Sequence, residues 1–90
     1  MSASRTCTVC NRRGLHARAS AKLAAAARGF DASVTVSRDG ETASAQSIMD
    51  LLMLAAGPGS DVTIAADGPE AEAAIEAVCA LIECGFEETD

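Results

Sequence analysis

The chain has 90 residues, 49% of them hydrophobic, with two phenylalanines, no tryptophan or tyrosine, and a net charge of −6. That length supports one domain, expected over residues 1–90, with one core and no deep cavity, so no cofactor is expected. No apolar run is long enough for a membrane span and the first ten residues lack a signal peptide's apolar segment; a cytoplasmic protein without membrane insertion is expected.

Residues 5–10, RTCTVC, alternate as a strand does, with Cys7 and Val9 on one face and Thr6 and Thr8 on the other. Residues 16–28, HARASAKLAAAAR, are rich in the best helix former, and Leu23, Ala26, Ala27 and Phe30 recur at helical spacing with Gly29 as a stop. The segment ASVTVSRDGETASA reads as a hairpin turning at Asp39-Gly40, with Val34 and Val36 on one face and Ser33, Thr35 and Ser37 on the other. Ser47, three residues before Asp50, opens a short helix to about Leu54 in a shortened capping-box pattern. AAGPGSD is a turn that lacks the lysine and hydroxyl of a phosphate-binding loop. DVTIAA is a further strand, with Val62, Ile64 and Ala66 inward. Pro69 suits the first turn of a last helix, Glu70 and Glu72 suit its positive end, and Ala71, Ile75, Val78 and Ile82 form a stripe leading to Phe86. The order β-α-β-β-α-β-α, with an apolar and a hydroxyl-bearing face on each strand, implies an α+β fold: an antiparallel sheet with helices on one side and water on the other.

Charge is unevenly divided. Residues 1–30 carry Arg5, Arg12, Arg13, Arg18, Lys22 and Arg28 and no acid, whereas residues 31–90 set Arg38 against thirteen acids. This places a basic patch on an acidic body. The acidic second half and the lack of stacking aromatics disfavour nucleic acid as a partner. Cys7 and Cys10 have zinc-like spacing, but Cys79 and Cys84 are five apart in a helical stretch, so reduced thiols are expected and a metal site is not.

His16, the sole histidine, stands where a glycine-containing loop meets the helix that follows. The N–H groups of Ala17, Arg18 and Ala19 have no intrahelical acceptor there and, with the helix dipole, form an anion site. A cap-position imidazole can place one ring nitrogen over those donors, and Arg18 adds a planar charged fork matched to phosphate oxygens. The same positive field favours the neutral, nucleophilic ring. A neutral nucleophile beside an anion cradle suits reversible acceptance of a phosphoryl group. With no metal-binding acid or nucleotide loop beside it, such a site needs a partner to complete the chemistry. It describes a carrier and not an enzyme.

GLHARAS, followed by an alanine-rich helix ending in GF, resembles the histidine phosphocarrier family HPr of the bacterial phosphotransferase system, which includes the nitrogen-branch NPr proteins. SIMDLLMLAAGPGSDVTIAADGPEAEAAI resembles the second half of the same family, so the likeness spans about residues 4–86. The resemblance implies an open-faced β-sandwich, a four-stranded antiparallel sheet covered on one face by three helices. It implies that His16 is phosphorylated on Nδ1, that Arg18 assists transfer and that Ser47 matches a serine modified by HPr kinase/phosphorylase in some bacteria. The implied partners are an enzyme I-type donor and an EIIA-type acceptor. Arg13, Lys22, Met49, Leu52 and Met53 are candidate docking residues, with core burial the alternative for part of the apolar set; a monomer is expected.

Two positions depart from the family pattern. Ala19 stands where a proline is usual, which softens the loop, and Arg13 stands where a small polar residue is common, which adds positive charge. Capping alone explains Ser47, and Asp50 in the same turn opposes a phosphate there. The alternative reading is a regulatory protein-binding module of nitrogen-branch type, acting through docking with little phosphoryl flux.

Overall fold

The structure, a computed structural model, describes residues 2–87; Met1 and residues 88–90, which the expected 1–90 domain includes, lie outside the described residues. The elements run β1 (Ser2–Thr8), α1 (Ala17–Arg28), β2 (Ser33–Arg38), β3 (Glu41–Ser44), α2 (Ile48–Leu54), β4 (Asp61–Asp67) and α3 (Ala71–Glu83), then a 3-10 turn at Gly85–Glu87. The sheet order is β1-β4-β2-β3 and every pairing is antiparallel.

Alternation along each strand decides what faces the helices. Cys7, Val34, Val36, Ala43, Val62, Ile64 and Ala66 are buried on one face, where they meet Leu23, Leu51, Ile75, Val78, Ile82 and Phe86. Each large aliphatic or aromatic side chain so buried contributes about 1.5–3 kcal/mol. The other face carries cross-strand hydroxyl pairs, Thr6 with Thr63 at 3.2 Å and Ser37 with Thr42 at 3.0 Å. Asp39 and Gly40 turn the β2–β3 hairpin with φ of 50° and 84°, the left-handed pair that a two-residue loop between twisted strands needs.

Two local expectations are corrected. The first strand begins at Ser2, not Arg5, because all seven of its residues find partners on β4, from Ser2 opposite Asp67 to Thr8 opposite Asp61. Its bonding continues past the strand: Val9 N–H donates to the Ser60 carbonyl at 2.8 Å and Gly59 N–H to the Val9 carbonyl at 2.7 Å. Cys10 lies beyond the strand. Pro69 precedes the last helix instead of entering it, since Glu70 is the N-cap. Glu70 does not cap with its side chain either; its carboxylate accepts from Asp31 N–H at 2.7 Å, tying the start of α3 to the turn before β2. Gly29 stops α1 as expected, with right-handed φ and ψ of −75° and −1° in place of the left-handed turn usual for glycine there.

Candidate functional site

The segment from Val9 to Leu15 carries the chain from the sheet edge to the start of α1. Gly14 adopts φ of +64°, and a Cβ there would strike the Ala56 carbonyl oxygen and lie 2.8 Å from Gly57 Cα. Only glycine fits that approach. Leu15 N–H donates to the Ala56 carbonyl at 2.9 Å, and His16 N–H donates to the Gly14 carbonyl at 2.9 Å. Asn11 Nδ2 donates to the Gly14 carbonyl at 2.8 Å, and Ser20 Oγ donates to the Leu15 carbonyl at 3.1 Å.

This frame delivers His16 to the N-cap of α1 with extended backbone, φ −74° and ψ −179°. Its Nδ1 accepts from the Arg18 backbone N–H at 3.3 Å. The imidazole thus serves as the helix cap, with one ring nitrogen held against the positive end of the helix dipole. No acid occupies the first turn of α1. Arg12, Arg13 and Arg18 are all exposed around this point, and among the described residues nothing fixes the Arg18 guanidinium. The His16 ring is half-buried, and Ala17 and Arg18 beside it are exposed.

Ser47 caps α2, its Oγ accepting from Asp50 N–H at 3.3 Å, and Asp50 Oδ2 accepts from Ser44 N–H at 3.4 Å. Helix α2 then ends at Ala55, which takes left-handed φ of 55° and leads into Ala56, the residue that holds Leu15. Ser47 therefore stands one short helix, roughly 10 Å for seven residues, from the strut behind His16. Between them Met49, Leu52 and Met53 are exposed at 68%, 37% and 77%, while Leu51 and Leu54 take the core positions. Lys22 is half-buried and turned aside: its Nζ donates to the Phe86 carbonyl at 2.8 Å.

The cysteines divide by environment. Cys10 and Cys84 are exposed, whereas Cys7 and Cys79 are buried. Burial, with a hydrogen bond to Cys79, pushes the Cys7 thiol up to about 12. That thiol is a poor candidate for thiolate chemistry near neutral pH.

Sequence reasoning anticipated His16, Arg18, the N–H groups of the first turn and Ser47 at their helix starts, because caps are local features. It missed Asn11, Ser20 and Ala56. A polar residue inside an alanine-rich apolar face, as Ser20 is, was the available signal.

A small α+β scaffold with an imidazole capping a helix whose first turn has an arginine and no acid defines the class: carriers of a transferable group. The chain matches the family described as "PTS HPr component phosphorylation site" over residues 3–84. It is 46% identical over 84 residues to the phosphocarrier protein NPr of Shewanella violacea, covering 93% of this chain and 92% of that one. It is 50% identical over 84 residues to the phosphocarrier protein HPr of Cupriavidus necator, covering 93% of this chain and 94% of that one. The crystal structure of HPr-C-His from Thermoanaerobacter tengcongensis superposes with a TM-score of 0.93 at 34% identity, covering 98% of this chain and 99% of that one. The chain belongs to the HPr/NPr family of phosphocarriers. It is a phosphoryl carrier of the phosphotransferase system, not an enzyme, and its partners are proteins of that system.

Proposed function

We propose that His16 Nδ1 is the atom that carries the phosphoryl group. The observation that supports this most directly is the 3.3 Å hydrogen bond by which Nδ1 already faces the Arg18 N–H at the positive end of α1. In the transfer step the Nδ1 lone pair gives up its hydrogen bond from the Arg18 N–H and forms a bond to phosphorus. The bond from phosphorus to the donor breaks, and its electron pair stays on the donor. The N–H groups of Ala17, Arg18 and Ala19 and the Arg18 guanidinium then hold the phosphoryl oxygens. Onward transfer reverses these roles with an acceptor in place of the donor.

The donor in this reading is an enzyme I-type phosphotransferase using phosphoenolpyruvate, and the acceptor is an EIIA-type protein. Both dock on the surface formed by Arg13, Met49, Leu52 and Met53, with Lys22 contributing less because its ammonium is committed to Phe86. The chain acts as one domain and as a monomer. Ser47 caps α2 and, through HPr kinase/phosphorylase, is a regulatory phosphorylation site in this reading. Incubation with phosphoenolpyruvate and the cognate enzyme I should give an acid-labile, base-stable phosphate, absent from His16→Ala. Labelling that persists in His16→Ala removes the assignment.

A second reading draws support from the exposed Met49, Leu52 and Met53: a regulatory module that docks with little phosphoryl flux. It predicts partner binding that is unchanged in His16→Ala, together with negligible labelling of the wild type.

A further inference from the structure

Among the described residues, the buried side chains of polar residues are those of Asn11 and Ser20, 5% and 0% exposed. Burying a hydroxyl or an amide is costly unless it is hydrogen-bonded, and the neighbouring buried positions of α1, Ala19, Ala24 and Ala27, use alanine instead. What these two side chains bond to is therefore informative. Asn11 Nδ2 donates to the carbonyl of Gly14 and Ser20 Oγ to the carbonyl of Leu15, the two residues immediately before His16.

Two peptide planes lead into His16, and each is held at both ends. In the Gly14–Leu15 plane, the oxygen accepts from Asn11 Nδ2 and the Leu15 nitrogen donates to Ala56. In the Leu15–His16 plane, the oxygen accepts from Ser20 Oγ and the His16 nitrogen donates to Gly14. A rigid peptide plane pinned at both its oxygen and its nitrogen cannot rotate. The second plane places the His16 N–Cα bond, and the Ser20 N–H bond to the His16 carbonyl at 2.8 Å holds the plane that follows; together they fix φ of His16 and so the direction of its Cβ. The Leu15 carbonyl precedes the helix and has no intrahelical donor; without Ser20 it would be a buried orphan.

We propose that Asn11 and Ser20 are positioning residues that aim His16 Nδ1 at the Arg18 N–H. This rests on His16 being the phosphoryl acceptor. Their value lies in transfer chemistry, where a displacement of about 1 Å can cost 10²-fold in rate.

The test compares Ser20→Ala and Asn11→Ala with Ala27→Gly, which lowers the stability of α1 at a distance from the site. Phosphoryl acceptance from enzyme I is followed together with the amide shift of Arg18 by NMR. Each positioning variant should lower the transfer rate constant about tenfold with KM within about twofold, in line with partial misplacement. Each should also move the Arg18 amide resonance away from its hydrogen-bonded position. The Ala27→Gly protein should keep the wild-type rate and shift. Equal rates and an unmoved Arg18 amide in all three overturn the proposal and leave both side chains as ordinary fold stabilisers. If the variants do not fold, the wild type still decides: its Asn11 side-chain amide protons should exchange slowly, and fast exchange overturns the brace. Should the wild type take no phosphate at His16, the carrier reading fails, while the Arg18 shift still reports on the brace.

Discussion

Helices α1 and α2 begin in the same way and are surrounded by opposite charge. Each is capped by a side chain that accepts a backbone N–H at 3.3 Å, His16 Nδ1 from Arg18 and Ser47 Oγ from Asp50. The first turn of α1 holds no acid, whereas that of α2 holds Asp50. In α2 the positive helix end is answered from within by a carboxylate. In α1 the first turn supplies no carboxylate, and a helix start of that kind suits an anion. The two first turns differ by one carboxylate.

The largest break in this comparison is His16→Ser, which gives α1 the kind of cap that α2 has. Serine caps well, so thermal stability should be unchanged or higher, while phosphate incorporation from enzyme I falls to background. Retained incorporation would mean that the nucleophile lies elsewhere. Next, Arg18→Ala should slow transfer roughly 10- to 100-fold, at or below the loss expected for one pre-organised donor, with Arg18→Lys between it and the wild type. Equal stopped-flow rates for all three would show Arg18 to be an ordinary surface charge.

Placing an acid in the first turn of α1 makes it resemble α2 directly. Ala17→Asp should stabilise the fold by about 0.3–1 kcal/mol while slowing acceptance about tenfold at low salt, an effect that shrinks as salt screens the charge. Urea denaturation and transfer rates on the same samples check both signs. Conversely, Ser47→Ala should cost about 0.5–2 kcal/mol and leave the transfer rate at its wild-type value. A transfer defect in Ser47→Ala would show that the α2 cap also serves the chemistry.

The smallest effect lies outside both caps and is confined to high pH. Burial foremost, then the hydrogen bond and charge of Cys79, with Glu83 adding and Arg5 opposing, raise the Cys7 thiol from an ordinary 9.0 to about 12. The folded chain thus keeps this proton where the unfolded chain loses it. The stabilisation is complete below pH 9 and is lost as pH rises from about 9 to about 12. Melting curves of Cys7→Ala should fall less steeply than the wild type through that window. Parallel curves would rule out Cys7 as the source of the alkaline slope.

How far the sequence could be read follows from how local each feature is. Both caps, the Asp39-Gly40 turn and the inward Val34, Val36, Val62 and Ile64 depend on neighbours a few residues away, and periodicity reveals them. Ser2–Ser4 carry small side chains, and the one apolar residue among them, Ala3, is too little to read as a strand, so the start of β1 became visible only through its pairing with Ala65, Ala66 and Asp67. Pro69 reads as a helix start by its own preference, but Glu70 is drawn to Asp31, 39 residues away in sequence. Arg13 and Lys22 look alike as surface cations until the Phe86 carbonyl claims Lys22. The brace at Gly14 and Leu15 was hidden for the same reason, since Ala56 must first arrive behind the loop.

That dependence on Ala56 sets an order of assembly during synthesis. Helix α1 and the β2–β3 hairpin make their own backbone bonds among nearby residues. Strand β1 has no ladder partner until β4 is made, and the loop before His16 has neither the Ala56 strut nor the Ser60 and Gly59 bonds to Val9 until that same stretch appears. Pairings so distant in sequence are slow to close. The imidazole therefore emerges well ahead of the scaffold that aims it, and a growing chain that has not reached Asp61 carries the whole GLHARAS segment without an assembled site.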